Sequence, residues 1–191
     1  MIYPLALGSA FLIAGLLLVI LHAIGLLKPT QSQAWLRAFP RSKPWGTALL
    51  VAATIWSWLL VTNIDLGEFS DWRLRLQIVI PIAGYLTWRY VDEFLSARAL
   101  GMLVLLAAEP MLEAAWLRPE LSRLLLVVLV YVYIVVAMFW IGAPYVLRNQ
   151  IAWVTKSDGR WKTAAIVGLL YGALLIILGC RLDLLTPHRS S

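Results

Sequence analysis

Apolar residues run along this chain in blocks of about twenty, the length that crosses a bilayer as a helix, and charged residues fall in the short intervals between them. Residues 2–27 hold no acidic or basic side chain except His22. Comparable blocks cover 45–63, 124–147 and 163–180. The pattern predicts six membrane-spanning helices, over 3–27, 45–63, 74–91, 94–116, 121–147 and 163–180. The expected fold is an all-α, polytopic integral membrane bundle in which residues 1–191 form one membrane domain.

Two of the six blocks are irregular. Only thirteen residues separate Arg75 from Arg89, and at ~1.5 Å each they reach about 20 Å, short of a ~30 Å hydrocarbon core. The segment crosses if both arginines lie within the span and snorkel to the headgroups. If it only dips into the membrane, five crossings remain. The 94–116 block is interrupted by Glu109-Pro110. Between the first two blocks, residues 30–44 carry Arg37, Arg41 and Lys43 without an acid, while Trp35, Leu36 and Phe39 supply an apolar side. Such a segment lies in the interface.

Charge sets the orientation, because basic loops are retained on the cytoplasmic side. The first, third and fifth loops hold Lys28, Arg37, Arg41, Lys43, Arg89, Arg98, Arg148, Lys156, Arg160 and Lys162, ten of the sixteen lysines and arginines. With six crossings both termini face away from the cytoplasm, in an inner membrane of bacterial type. Five crossings would reverse the bias of the last loops, which favours six. Trp35, Trp45, Trp72, Trp88, Trp116, Trp153 and Trp161 fall near the proposed boundaries, where indole rings are enriched.

Composition narrows the function classes. Hydrophobic residues make up 62% of the 191, against roughly 45–50% in soluble domains, and mean hydropathy is +0.84. A net charge of +6 points to lipid phosphates and not to nucleic acid, since the basic residues border apolar blocks. One cysteine, Cys180, forms no internal disulfide, and two histidines leave little for haem or zinc. No cofactor is predicted beyond bound lipid. The first block lacks the basic start of a signal peptide and exceeds a signal core in length, so it is expected to stay attached. Internal repeats, common in secondary transporters, are not visible.

Few residues carry candidate chemistry. Glu109 and Glu113, four apart around Pro110, share a helical face. Ionised acids deep in lipid cost about 2.5–3.5 kcal/mol each on insertion scales. Either they reach the interface or pair with Arg118 or Arg123, or they form a proton, cation or substrate site with Tyr131 or Tyr133. Pro110 frees the carbonyl of Leu106 and adds polarity there. On the cytoplasmic side Arg89, Asp92, Glu93 and Arg98 form a mixed cluster, with an Arg89–Glu93 pair if the helix is continuous. An alanine-arginine step at Ala97-Arg98 is similar to part of the CDP-alcohol phosphotransferase signature. The second aspartate and its adjoining glycine are missing, and with them the oxygen cage for a divalent cation.

Lys28, Arg37, Arg41, Lys43, Lys156, Arg160 and Lys162 are candidate contacts to anionic lipid or a docked partner. His22 is expected to bond a neighbouring carbonyl in preference to ligating iron or a quinone. Gly8, Gly15 and Gly25, with Gly168 and Gly172, are candidate sites of close helix approach. The leading expectation is a non-catalytic accessory subunit of a larger membrane complex. A small transporter or proton-linked channel using Glu109 and Glu113 comes second, and a lipid-modifying enzyme is remote.

Overall fold

A computed structural model describes residues 5–91 and 93–185. Among these there is no strand, and eight α-helices follow in order: α1 Leu7–Leu27, α2 Pro29–Ala38, α3 Lys43–Asn63, α4 Arg73–Tyr90, α5 Leu95–Ala115, α6 Arg123–Gly142, α7 Tyr145–Val154 and α8 Asp158–Leu185. Short 3-10 turns lie at Phe39–Arg41 and Gly67–Trp72. Five of the helices, α1, α3, α5, α6 and α8, are long and apolar enough to cross a membrane. Helix α4, with eighteen residues and three arginines at Arg73, Arg75 and Arg89, is not among them.

Glycine sets how closely the helices approach. Helices α1 and α8 run antiparallel and touch backbone to backbone: a Cβ on Gly15 would lie 2.7 Å from the Gly172 oxygen, and one on Gly179 would lie 3.0 Å from the Gly8 oxygen. The other junctions repeat the device, with Gly101 of α5 against Ala137 of α6, Gly46 of α3 against Ser96 of α5, and Gly84 of α4 against Thr54 of α3. In lipid, where apolar burial gives helices no mutual attraction, close backbone approach supplies the dispersion contacts that hold a bundle. The main core lies among α1, α5, α6 and α8, around Leu7, Phe11, Leu18, Ala108, Leu126 and Leu175.

The first, third and fifth connections meet at one end. Phe39 from the first, Leu147 and Ile151 from the fifth, and Ala97 in the first turn of α5 form a second small core, with Phe94 from the third packed against it. Ser96 Oγ donates to the Phe39 oxygen at 2.6 Å, Arg37 of α2 binds Thr155 after α7, and Trp161 Nε1 donates to the Gly25 oxygen at 2.9 Å. Helix α4 starts at the opposite end, where Arg73 donates to the Ile64 oxygen at 2.8 Å. It finishes next to α5, whose first turn packs on the first turn of α3. It therefore runs the full length of α3 in the opposite direction.

Two boundaries differ from the pattern. The fifth apolar block is two helices, because Pro144 disfavours helical backbone at Ala143, which has φ −132° and ψ 70°. The chain then turns into α7. The last helix begins at Asp158 and not near Thr163, capped by Ser157 Oγ accepting from the Arg160 N–H at 3.3 Å. The helix ending at Tyr90 is not continuous with α5: Phe94 adopts a left-handed φ of 56°, an uncommon state for a bulky residue. The start expected at residue 3 falls outside the described residues.

Candidate functional site

The basic end carries most of the polar organisation. Helices α2 and α7, ten residues each, lie between spans there and are joined through Arg37. Its Nε donates to Thr155 Oγ1 at 2.9 Å and its Nη2 to the Thr155 oxygen at 2.6 Å, while Thr155 Oγ1 donates to the Ile151 oxygen at 2.9 Å. Arg37 thereby satisfies a carbonyl left over at the C-terminus of α7 and sets a cation at the negative end of its dipole. Beside it, Arg37, Pro40, Arg148, Ile151, Ala152, Thr155 and Lys156 enclose about 250 Å³. The Arg148 guanidinium lies 5.8 Å from the centre of the Phe94 ring, and that of Arg41 lies 6.0 Å from the same ring. These are cation–π distances.

A larger cavity of about 700 Å³ lies among α1, α6 and α8, with Trp153 of α7 at its mouth. Arg160 stacks on Trp153 at 4.8 Å, and His22, Tyr133, Leu18, Leu129 and Val167 are also in the lining. His22 Nδ1 donates to the Leu18 oxygen at 2.7 Å; a carbonyl only accepts, so this nitrogen carries the proton. The ring packs flat on Gly168, where a Cβ would overlap Nε2, Cδ2 and Cε1. The expected bond from His22 to a neighbouring carbonyl is therefore present. Tyr171, also lining this cavity, donates to the Leu125 oxygen at 2.8 Å and ties α8 to α6.

The other sequence candidates are scattered. Glu109, Pro110 and Glu113 lie in the last two turns of α5, at the end opposite the basic one, and line neither cavity. Tyr131 is 56% exposed and Tyr133 belongs to the His22 cavity, so neither tyrosine forms a pocket with the glutamates. Arg123, a proposed partner of the acids, donates to the Ala115 oxygen at 3.3 Å. Arg89 sits over Tyr90 at 5.8 Å. Glu93 is exposed beyond the break after Tyr90, so the i, i+4 geometry suggested for Arg89 and Glu93 does not form. Asp92 lies outside the described residues. Arg98, half-buried in α5, has no hydrogen-bond partner for its Nε among the described residues.

Of the basic candidates, Arg37 and Lys156 converge on one pocket and Arg160 lines the other, while Lys28, Lys43 and Lys162 lie at the same end outside both. Pattern reading passed over Arg148 and Thr155 as site residues. Arg148 was counted only as loop charge, and nothing in sequence spacing pairs Thr155 with a residue 118 positions away. The chain matches no family model, no curated protein and no solved structure.

Proposed function

We propose that this chain is a non-catalytic integral membrane subunit whose α3–α4 side is covered by a transmembrane helix of another protein. It crosses the bilayer six times with the basic end in the cytoplasm and both termini opposite, in a membrane of the bacterial inner type. Helix α4 carries this reading. Among the helices that run end to end, it has the three arginines and not one buried residue. Ile78, Ile82 and Tyr85 are each at least half exposed, and Ile55 and Leu59 of α3 are exposed as well. A helix with this much polarity is the costliest one to surround with lipid, and a neighbouring helix relieves that cost. Its arginines support a sixth crossing, because Arg75 rests on Trp72 at 5.0 Å and Arg89 on Tyr90 at 5.8 Å, which places charge and amphipathic ring together at each end. The reading as non-catalytic rests on the dispersal of the polar groups: the glutamates lie at the end that also carries Arg73, Arg75 and Arg123, the pocket cations lie at the other, and His22 is committed to Leu18.

Cysteines at Ile78 and Ile82 in a Cys180→Ser background, cross-linked in native membranes, test the proposal. An adduct to a different membrane protein is expected, and native mass analysis in mild detergent should return the same partner. A lone monomer by both methods would overturn it, and an adduct to a second copy would replace the accessory reading with a homo-oligomer.

A further inference from the structure

Three cations from three segments face the pocket of about 250 Å³ at the basic end: Arg37 from α2, Arg148 from α7 and Lys156 just after α7. Among the described residues no carboxylate lines it. Arg37 is explained in part by its bonds to Thr155. Those bonds use two of the five guanidinium N–H groups and hold the planar fork still, so the remaining donors are oriented before any ligand arrives. Arg148 makes one long bond, from Nη2 to Asn149 Oδ1 at 3.4 Å. Arg148 stands in the first turns of α7, the positive end of the helix dipole, where a cation is disfavoured. It is held on the Phe94 ring, with Arg41 on the same ring. Phe94 itself holds an uncommon left-handed backbone to present that ring. Arg37, Arg148 and Lys156 are exposed, so water screens part of their mutual repulsion and an anion between them lowers the remainder; Thr155 and Pro40, both buried, back the pocket.

We propose that this pocket binds a phosphate group, held by Arg37, Arg148 and Lys156. Its volume of about 250 Å³ gives room for a phosphate group. Arginine forks match phosphate oxygens in pairs, and lysine adds a point charge. The pocket lies between α2 and α7, the two short helices that connect spans, at headgroup depth in the six-crossing arrangement. The same chemistry serves the headgroup of an anionic phospholipid or a free inorganic phosphate or diphosphate.

The experiment uses the full chain in nanodiscs of phosphatidylcholine with or without phosphatidylglycerol, with retained lipid read by native mass spectrometry and soluble pyrophosphate binding read by calorimetry. Arg148→Gln and Lys156→Gln remove charge without touching the Arg37–Thr155 bonds. Each is expected to weaken binding about fivefold, and the pair about thirtyfold, from roughly 1 kcal/mol for each direct contact to the phosphate that is lost. Lys28→Gln with Lys162→Gln removes the same charge at the same end outside the pocket and takes no contact from the phosphate; it lowers only the general attraction of the surface, which salt screens, and should weaken binding clearly less than the pocket pair. Retained phosphatidylglycerol without pyrophosphate binding identifies a lipid headgroup, and pyrophosphate binding in neutral nanodiscs identifies a free phosphate. Equal losses in both double variants, or binding of neither probe by the wild type, overturn the site. Arg148→Lys, which restores the charge but not the fork, should recover only part of the affinity.

Discussion

At the residue scale, His22 and Gly168 behave as one unit. The imidazole occupies space that exists because residue 168 has no side chain, and its Nδ1 proton is taken by Leu18. Gly168→Ala should therefore destabilise the protein by about 1–3 kcal/mol, the usual cost of overpacking, seen as a lower melting temperature in detergent. In a His22→Ala background the same change should cost much less; equal costs in both backgrounds would show that the ring is not the obstacle. Ser157 is a second local case. It caps the longest helix through the Arg160 N–H, and Ser157→Ala should cost about 1 kcal/mol, with faster hydrogen exchange confined to the first turn of α8.

At the scale of elements, the α1–α8 pair depends on the reciprocal contact between Gly15 and Gly172 and on the seat of Gly179 against the Gly8 oxygen. Two alanines, at Gly15 and Gly172, leave the Cβ atoms no room and should force the helices apart. Disulfide trapping between cysteines placed across this seam should become inefficient in that variant, while trapping across the α5–α6 seam stays as before. Helix α7 is held differently. Its two direct bonds to α2 come from one side chain, Arg37, and bonds to charged groups contribute about 1.5–3 kcal/mol. Arg37→Leu should let α7 lift from α2, with protease cutting at residues 145–156 that the wild type resists.

At the scale of the whole molecule, the proposed accessory role rests on where the polar groups lie. Glu109 and Glu113 lie at the end of α5 opposite the basic pocket, and no described cavity connects them to His22 or to that pocket. The accessory reading predicts that the chain carries no ion by itself. Liposomes containing the purified chain should dissipate a pH gradient no faster than empty ones, with Glu109→Gln and Glu113→Gln making no difference. A leak present in the wild type and abolished by those changes would move the function to α5. Reporter tags at the two ends should both face away from the cytoplasm, and tags in opposite compartments would leave α4 outside the count of crossings.

Much of this was written in one dimension. Helical spans follow from apolar length alone, because lipid leaves the backbone no other partner than itself; hence α1, α3, α5, α6 and α8 were legible in the hydropathy pattern, as were the basic character of alternate connections and the small residues of the α1 and α8 faces. Periodicity could not reveal α7, since Pro144 interrupts a block that stays apolar on both sides of it, or the early start of α8, whose first turn is polar. Still less could it show that Arg37 meets Thr155, that Arg148 and Lys156 share a pocket with it, or that the glutamates stand apart from the tyrosines. Lipid selects for apolar length position by position. The convergence of distant polar groups depends on which helices lie side by side and in what register, and those choices are made by backbone contacts at a few glycines.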